Sequence, residues 1–349
     1  MADGNNQTAQ TGRVLPKPLK VQLNGRAGFG VAGVTVNFAV TSGSATLGAT
    51  SALTDSNGSA MLGVTLGTAA GNVTVTATAV GSGLPAVHFT ESAILPPVCT
   101  VPQPVVTSVN SAGDFGGGTT FAPGSWLEIK GTHLAQSTRP WAGSDFNGAN
   151  APTSLDDVSV TIDGKKAYVG YISPAQINVQ APGDTVTGTV QLAVTTSSCP
   201  SDVFTVQEAA VAPGVLAPSS FNVNGKQYLV ALFQDGVTFV GNPNLVPGAP
   251  FRPAAPGDII TAYGIGFGAV TPASAPGVVA SDTDRIAADV LISLGTALVP
   301  VNYSGLAPGS VGLYQFNFAV PNVPDDDYPI VFQVGATKTT QTVYLTVHK

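Results

Sequence analysis

One polar loop of the sequence combines a cation with two aromatic rings. In STRPWAGSDFNGANAP (137–152), Arg139 lies close to Trp141 and Phe146. Exposed planar rings can stack on sugars or anchor protein partners, and long loops often carry binding sites. We therefore predict a ligand-binding site at Arg139, Trp141 and Phe146. A structural role, in which Trp141 fills its own loop or covers a seam between domains, is the alternative.

A second tryptophan lies in a segment with the period of a strand. The alternation in SWLEIKG (125–131) places Leu127 and Ile129 on one face of that strand. Trp126 and Glu128 share the opposite face. Trp126 is therefore expected at or near the surface, and we add it to the predicted ligand-binding residues.

The sequence offers little for nucleophilic or acid–base catalysis. Gly-x-Ser-x-Gly, the nucleophile motif of many hydrolases, does not occur. The three histidines lie in or beside strand-like segments, where a structural or solvent-exposed role is the simpler interpretation: His88, His133 and His348. We predict no catalytic residue and no turnover of ester, glycoside or peptide substrates.

No metal site or cofactor is predicted either. Histidine and cysteine never occur at a spacing that would bind zinc. Asp282, Asp284 and Asp289 lie in one long loop and could hold a cation only with low affinity.

Composition excludes several classes of protein. Charged residues make up 9% of the 349 residues, against about 25% in typical soluble domains. Glycine (41) and proline (27) are abundant and glutamate is scarce, which excludes a mainly helical protein. The net charge of −7, with scattered basic residues, provides no phosphate-binding stripe. No run of about 18 apolar residues could span a bilayer. We expect neither a nucleic-acid partner nor membrane insertion of this chain.

The first part of the chain alternates in the manner of half-buried strands. In VTVNFAV, Val36 and Phe38 share one face and Asn37 lies on the other. Further short segments of this kind follow, separated by turn residues, which is the pattern of a two-layer β-sandwich. The Pro-rich segment LPPVCTVPQP has few backbone donors. We therefore predict a first domain at 1–94 and a linker at 95–104.

Beyond the linker the sequence repeats itself. APGSWLEIKG (122–131) aligns with APGDIITAYG (255–264), and QINVQAP (176–182) aligns with QFNFAVP (315–321). Other strand-like segments recur in the same order at a similar spacing. The repeat predicts two β-sandwiches of one topology.

The two predicted sandwiches occupy 105–208 and 209–349. The second contains extra sequence at 221–241, where Asn224-Gly225 and Asp235-Gly236 are typical hairpin turns. We expect an inserted hairpin there.

These segments resemble known families. Residues 3–80, with GVAGVTVNFAVTSGSATLG and TDSNGSAMLGVTLGTAAGNVTVTATA, resemble the bacterial Ig-like domain of the invasin and intimin type. Residues 105–348, with FAPGSWLEIKGTHLA, SPAQINVQAP, AAPGDIITAYGIGFG and GLAPGSVGLYQFNFAVP, resemble the C-terminal region of large secreted proteins of Acidobacteria, which is related to the IPT/TIG class of Ig-like domains. The resemblance implies an all-β fold of tandem Ig-like antiparallel sandwiches and an extracellular or bacterial cell-surface location. It supplies no catalytic residues.

The two cysteines, Cys99 and Cys199, flank the first predicted repeat. The first and last strands of Ig-like sandwiches often lie close together, and exported proteins meet oxidising conditions, so the even count favours a disulfide. Closing a loop of about 100 residues contributes roughly 4–5 kcal/mol in the chain-entropy model. Two free thiols are the alternative.

The function that these observations favour is non-enzymatic. We expect an extracellular adhesion or display module, a stalk with contacts at its loop tips, from the C-terminal part of a longer exported protein. A carbohydrate-binding module that uses exposed aromatic rings is the first alternative, and a hydrolase with an unfamiliar site is the second. The expected partner is a glycan or a protein. The sequence defines neither the ligand nor the oligomeric state.

Overall fold

Short strands account for nearly all the regular structure of the chain. The structure, a computed structural model, describes residues 3–26, 28–96, 98–183, 187–243, 245–281 and 284–348. Within these ranges there is no α-helix, so none that could cross a bilayer, and helical structure is limited to three 3-10 turns: Gly113–Phe115, Gly143–Asp145 and Ser219–Phe221. The predicted all-β fold is confirmed. The chain divides into two units, Met1–Val98 and Cys99–Lys349.

The described residues of the first unit form nine strands: β1 (Thr8–Gln10), β2 (Leu19–Gln22), β3 (Thr35–Ser42), β4 (Ala45–Leu47), β5 (Ser51–Leu53), β6 (Ser59–Leu62), β7 (Val64–Leu66), β8 (Gly71–Ala79) and β9 (Val87–Ile94). Five of them form a sheet in the order β1-β9-β8-β3-β5, and β2 pairs with β6 and β4 with β7. The predicted alternation is present in β3, where Val36 and Phe38 are buried and Asn37 is exposed.

The core of the first unit contains one carboxyl group among its apolar side chains. Phe38, Val75 and Phe89 are buried in this core. Glu91 lies on the inward face of β9, where its side chain is buried. Its Oε2 accepts a hydrogen bond of 2.6 Å from the backbone N–H of Gln7, and burial raises its pKa. Glu91 thus ties the N-terminal segment to the core from inside.

The second unit begins with a sandwich of eleven strands: β10 (Val105–Ser111), β11 (Thr120–Phe121), β12 (Trp126–Thr132), β13 (Arg139–Pro140), β14 (Val158–Ile162), β15 (Lys165–Lys166), β16 (Tyr168–Ile172), β17 (Gln176–Gln180), β18 (Gly188–Thr196), β19 (Cys199–Pro200) and β20 (Phe204–Glu208). One sheet has the order β10-β12-β17-β16-β13 and the other β11-β20-β18-β14-β15, with β19 paired to β18. Leu127, Ile129 and Val160 are among the buried side chains between them.

The remaining strands form a second sandwich in the same unit: β21 (Gly214–Val215), β22 (Asn222–Val223), β23 (Lys226–Gln227), β24 (Ala231–Phe233), β25 (Phe239–Val240), β26 (Phe251–Arg252), β27 (Ile259–Ile265), β28 (Val270–Thr271), β29 (Arg285–Ile286), β30 (Val290–Leu294), β31 (Ala297–Val299), β32 (Val301–Leu306), β33 (Tyr314–Ala319), β34 (Asp326–Val334), β35 (Thr337–Lys338) and β36 (Val343–Val347). Its core contains the packed rings of Phe267, Phe316 and Phe332.

The internal repeat of the sequence is visible in the strand order. β12-β17-β16 of the first sandwich corresponds to β27-β33-β32 of the second, and β20-β18-β14-β15 corresponds to β36-β34-β30-β31. The sandwiches share one unit because they contact each other, for example where the Gln180 side chain accepts a 2.6 Å hydrogen bond from Gly277 N. The boundaries proposed from the sequence at 94, 104 and 208 remain predictions.

The second sandwich differs in its first strand, which an insertion divides. In the first sandwich the single strand β10 pairs with β12, with a bulge between Val106 and Ser108, whereas in the second both β21 and β24 pair with β27. The expected hairpin, β22–β23 with its turn at Asn224-Gly225, lies in the inserted segment. The other turn signal, Asp235-Gly236, joins β24 to β25, so the segment contains two hairpins rather than one.

Candidate functional site

Three of the four predicted ligand-binding residues lie side by side. Trp126 begins β12, Trp141 follows β13 and Phe146 follows the second 3-10 turn. The ring centroids of Trp126 and Trp141 are 5.4 Å apart and those of Trp141 and Phe146 are 4.9 Å apart, edge to face in both pairs. All three side chains are partly exposed. We call Trp126, Trp141 and Phe146 the aromatic row.

Both tryptophans also have structural contacts, as the alternative for Trp141 supposed. Trp141 packs against the core of the first sandwich, and its backbone N–H donates a 2.9 Å hydrogen bond to the carbonyl of Gly170. The indole Nε1 of Trp126 donates a 2.8 Å hydrogen bond to the carbonyl of Val311 in the second sandwich. The rings are therefore held in place, with part of each surface left open.

Gly170 in β16 makes room for the Trp126 ring. A Cβ at position 170 would lie 2.6 Å from Cη2 of Trp126, which is closer than carbon atoms pack. Because β17 lies between β12 and β16, the indole reaches across β17 toward Gly170. Glycine at this position is thus a requirement of the aromatic row.

Arg139, the fourth predicted residue, is occupied by two carboxylates. Its Nη1 lies 2.8 Å from Asp145 Oδ2, its Nη2 lies 2.8 Å from Asp156 Oδ1, and its Nε donates to Asp156 at 3.0 Å. These hydrogen bonds lower the pKa of Asp156 to about 2, with help from the Ser137 hydroxyl, and they also lower the pKa of Asp145. The same bonds raise the pKa of Arg139 above its usual value.

The ion pairs of Arg139 fix the loop that carries two of the rings. Asp145 Oδ2 also accepts a 2.6 Å hydrogen bond from the backbone N–H of Ala142, next to Trp141. One carboxylate therefore connects the arginine, the 3-10 turn and the backbone between Trp141 and Phe146. Arg139 acts here as a positioning residue that sets the loop conformation.

The aromatic row lines a cleft of about 550 Å³ between the two sandwiches of the second unit. The opposite wall comes from the second sandwich and includes Val279, Val311 and Leu313. Polar side chains complete the lining: Asp114, Glu128, Gln176, Asn178 and Ser310. We call this cavity the aromatic cleft. Its volume falls within the range of about 300–1,000 Å³ that small-molecule sites occupy.

Three of the polar groups of the cleft, Glu128, Gln176 and Asn178, lie on the outward faces of β12 and β17. Glu128 is paired in register with Asn178, and Gln176 Nε2 donates a 2.9 Å hydrogen bond to Asn178 Oδ1. Lys130 Nζ lies 2.7 Å from Glu128 Oε1, and this hydrogen bond raises the pKa of Lys130. Lys130 does not line the cleft itself, so the charged groups of the lining are both carboxylates.

The sequence placed Glu128 on the face of Trp126 but did not assign it to the site. Gln176 and Asn178 carried the same signal, because they alternate with buried Ile177 and Val179 in β17. The second wall of the cleft had no such signal, since it approaches through contacts between distant segments of the chain.

The predicted disulfide between Cys99 and Cys199 is present, with the Cα atoms 5.0 Å apart. Gln103 Nε2 donates a further hydrogen bond of 3.0 Å to the carbonyl of Pro200. The segment that precedes β10 is thereby fastened to β19, near the end of the first sandwich.

The remaining titratable candidates are dispersed. His88 lies on the outer face of β9 beside Thr76, at 3.0 Å, while His133 and His348 follow β12 and β36. Asp284 is buried and accepts a 3.2 Å hydrogen bond from Ser281 N; its predicted neighbour Asp282 lies outside the described residues. In the part of the chain that the structure describes, no three His, Cys, Asp or Glu side chains gather as a metal site would require.

Comparison with known proteins locates one family in the chain and several structures of similar fold. Residues 104–209 match the IPT/TIG domain model. The D0-D1 domain of intimin is 16% identical over 57% of this chain and 94% of its own, with a TM-score of 0.24. The glucan-utilisation protein SGBP-B of Bacteroides ovatus, solved with a mixed-linkage heptasaccharide, is 10% identical over 100% of this chain and 67% of its own, with a TM-score of 0.31.

Invasin, a bacterial integrin-binding protein, is 12% identical over 99% of this chain and 58% of its own length, with a TM-score of 0.21. No curated protein matches the sequence. The IPT/TIG match covers the whole first sandwich of the second unit, which contributes the aromatic row. The predicted relationship to Ig-like domains is confirmed, and the part of the chain that is similar to the IPT/TIG domain is residues 104–209.

Proposed function

We propose that this chain is a non-enzymatic extracellular adhesion or display module that binds its partner at the aromatic cleft. The observation that carries the proposal is the aromatic row: Trp126, Trp141 and Phe146 remain partly exposed at a cleft although their positions are fixed. Aromatic rings held at a concave surface supply a large contact area and are the side chains that most often dominate binding energy.

The rings of the aromatic row are already held in place, so binding a partner costs little conformational entropy. Arg139 and Asp145 hold the loop of Trp141 and Phe146, and Val311 holds the indole of Trp126. Ordering a flexible side chain at an interface costs about 0.5–1.5 kcal/mol, and a site that is ordered beforehand avoids most of this cost. The cleft is therefore suited to hold a partner without a change of fold.

An extracellular location agrees with the covalent structure of the second unit. The Cys99–Cys199 disulfide would persist in an oxidising compartment, whereas cytosolic thiols are usually kept reduced. Only 9% of the residues are charged and the net charge is −7. A nucleic-acid partner is disfavoured, because such partners are bound by clustered basic residues.

A binding role is favoured over catalysis by the composition of the cleft. Glycoside hydrolysis uses two carboxyl groups, one of which delivers a proton. Asp114 and Glu128 do line the cleft, but Glu128 is engaged by the ammonium of Lys130. No histidine, cysteine or lysine is among the residues that line the described cleft. The proposal therefore includes the absence of turnover.

The test is binding of the purified chain to arrays of glycans and matrix proteins. We expect Trp141→Ala and Phe146→Ala each to weaken binding about tenfold or more, as truncation of a central aromatic contact does. Phe29→Ala is the matched control, because the Phe29 ring is 79% exposed and belongs to the first unit. Its binding should equal that of the wild type.

Thermal unfolding of each variant separates binding from stability. Trp141 packs against the core, so Trp141→Ala should also lower the melting temperature. Phe146→Ala tests the cleft with less involvement of the core. If both variants are less stable but bind as tightly as the wild type, the rings are structural and the proposed site is wrong.

A further inference from the structure

The two sandwiches of the second unit provide an internal comparison for the cleft. In β33 of the second sandwich, Gln315 and Asn317 take the places of Gln176 and Asn178. Gln315 Nε2 donates to Asn317 Oδ1 at 3.0 Å, as Gln176 donates to Asn178 at 2.9 Å. Both sandwiches therefore share this hydrogen-bonded pair of amide side chains.

Trp126 and Glu128 are features of the first sandwich alone. The aligned positions of the second sandwich hold Ile259 and Thr261. Thr261 lies opposite Asn317 in register and donates its hydroxyl to Asn317 Oδ1 at 3.2 Å, whereas Glu128 lies opposite Asn178. An acceptor carboxylate thus replaces a short donor beside the amide pair, and an indole replaces an aliphatic chain. Neither change is needed to close a sandwich core, since both positions face outward.

The lining of the aromatic cleft has two chemically different sides. Each ring of the aromatic row offers an apolar face of its own, since neighbouring rings meet edge to face, while Glu128, Gln176 and Asn178 offer hydrogen-bond acceptors and donors. A purely apolar ligand would cover these polar groups without satisfying them, which is unfavourable. A pyranose ring meets both demands, because its C–H face is apolar and its hydroxyl groups both donate and accept hydrogen bonds.

The charge of the cleft selects among sugars. Asp114 and Glu128 are its charged lining residues. Lys130 pairs with Glu128 from outside the lining, which leaves Asp114 as the carboxylate that no described cation offsets, and the guanidinium of Arg139 is held by Asp145 and Asp156. Like charges brought together in a partly desolvated site repel, so anionic sugars such as uronates are disfavoured. Neutral sugars carry no such penalty.

We propose that the aromatic cleft binds a neutral oligosaccharide, with a sugar ring stacked on the face of one ring of the aromatic row and its hydroxyl groups on Glu128, Gln176 and Asn178. This inference rests on the proposed adhesion function and names its ligand class. The other candidate occupant is a lysine or arginine side chain of a protein partner, which could stack on Trp141 near the same carboxylates.

The test is titration of the full chain with neutral gluco-, manno-, galacto- and xylo-oligosaccharides and, separately, with oligogalacturonate, followed by calorimetry and tryptophan fluorescence. We expect saturable binding of at least one neutral series with a change in fluorescence, and no binding of oligogalacturonate. Tighter binding of oligogalacturonate than of every neutral sugar, or no binding of any neutral series, would overturn the proposal.

The repeat supplies a matched pair of variants. Asn178→Ala should weaken binding of the neutral sugar about tenfold, because a hydroxyl group loses its partner. Asn317→Ala removes the equivalent amide outside the cleft and should leave affinity unchanged. Equal losses of affinity in both variants would mean that the substitutions act by disturbing the sandwich fold. The cleft would then not be the sugar site.

The outcomes also separate this proposal from the adhesion function. If neutral sugars fail to bind while a matrix protein binds in a manner that requires Trp141, the module is an adhesin for proteins and only the sugar assignment is wrong. If neither sugars nor proteins bind through the aromatic row, the adhesion function at this cleft is wrong as well.

Discussion

At the scale of single residues, the structure gives Arg139 a role different from the one that its sequence context suggests. A cation between aromatic residues in a polar loop is a reasonable ligand contact. The guanidinium instead reaches two carboxylates, Asp145 and Asp156, six and seventeen positions along the chain. Its fork of donors matches carboxylate oxygens well, and such paired hydrogen bonds are among the stronger polar contacts. The sequence contains all three residues, but nothing in it predicts that Asp145 and Asp156 meet at Arg139.

The first prediction concerns the proton affinity of Asp156. Arg139→Gln removes the largest cause of its low pKa, so we expect that pKa to rise from about 2 toward roughly 3.9, the value of an unperturbed aspartate. Because the folded-state pKa is depressed, the ion pair stabilises the loop above about pH 4 and is lost as the pH falls through about 2. The variant should show a weaker dependence, because only the hydrogen bond from the Ser137 hydroxyl still lowers the pKa of Asp156.

Carboxyl-carbon NMR titration of wild type and Arg139→Gln measures the change directly. Asp235 is an internal control, because its pKa is lowered mainly by hydrogen bonds from Thr238 and Val237 in another loop. Its titration should be nearly the same in both proteins. An unchanged Asp156 titration in the variant would show that Arg139 does not hold this carboxylate.

At the scale of strands, the alternation of β12 was fully visible in the sequence. Leu127 and Ile129 are buried. Trp126 and Glu128 face outward, because successive side chains of a strand point to opposite faces of the sheet. What the outward residues meet was not visible. Trp126 meets Gly170 in β16, and this neighbour depends on the order β12-β17-β16 rather than on local sequence.

The second prediction tests the contact between these strands. Gly170→Ala places a methyl group 2.6 Å from the Trp126 ring, so the indole must move or the strands must separate. Overpacking of this kind typically costs about 1–3 kcal/mol. We expect a lower free energy of unfolding for the second unit in denaturant, together with weaker ligand binding at the displaced row.

Gly63→Ala is the control for a general effect of losing a glycine. A Cβ at Gly63 meets nothing within 4 Å, so that substitution should be neutral or slightly stabilising. A Gly170→Ala variant as stable as Gly63→Ala would show that the indole is free to leave its position.

The divided first strand of the second sandwich shows that sequence patterns predict turns but not which strands pair. Turn signals at Asn224-Gly225 and Asp235-Gly236 correctly indicated chain reversals. They did not indicate that β21 and β24 would continue one another along β27. Turn chemistry is local, whereas strand order is decided by which distant segments bury apolar surface together.

At the scale of the whole molecule, one sandwich frame is used twice with different outer faces. The buried alternation of the two copies is similar, so the repeat could be found by aligning the sequence with itself. The cleft depends on contacts across the copies, such as that between Trp126 and Val311. No pattern within either copy reports such a contact, which explains why the fold was predictable and the cleft was not.

The last prediction concerns the disulfide that closes the loop from Cys99 to Cys199. The bond restricts the unfolded chain, so reduction should lower the free energy of unfolding of the second unit by up to roughly 4–5 kcal/mol, and by less if the reduced unfolded chain retains structure. Calorimetry with and without reductant measures this loss, and Cys99→Ala/Cys199→Ala should reproduce it. Both cysteines belong to the second unit, so unfolding of the first unit should not respond to reductant. A non-reduced chain whose mass includes both thiol hydrogens would contradict the bond.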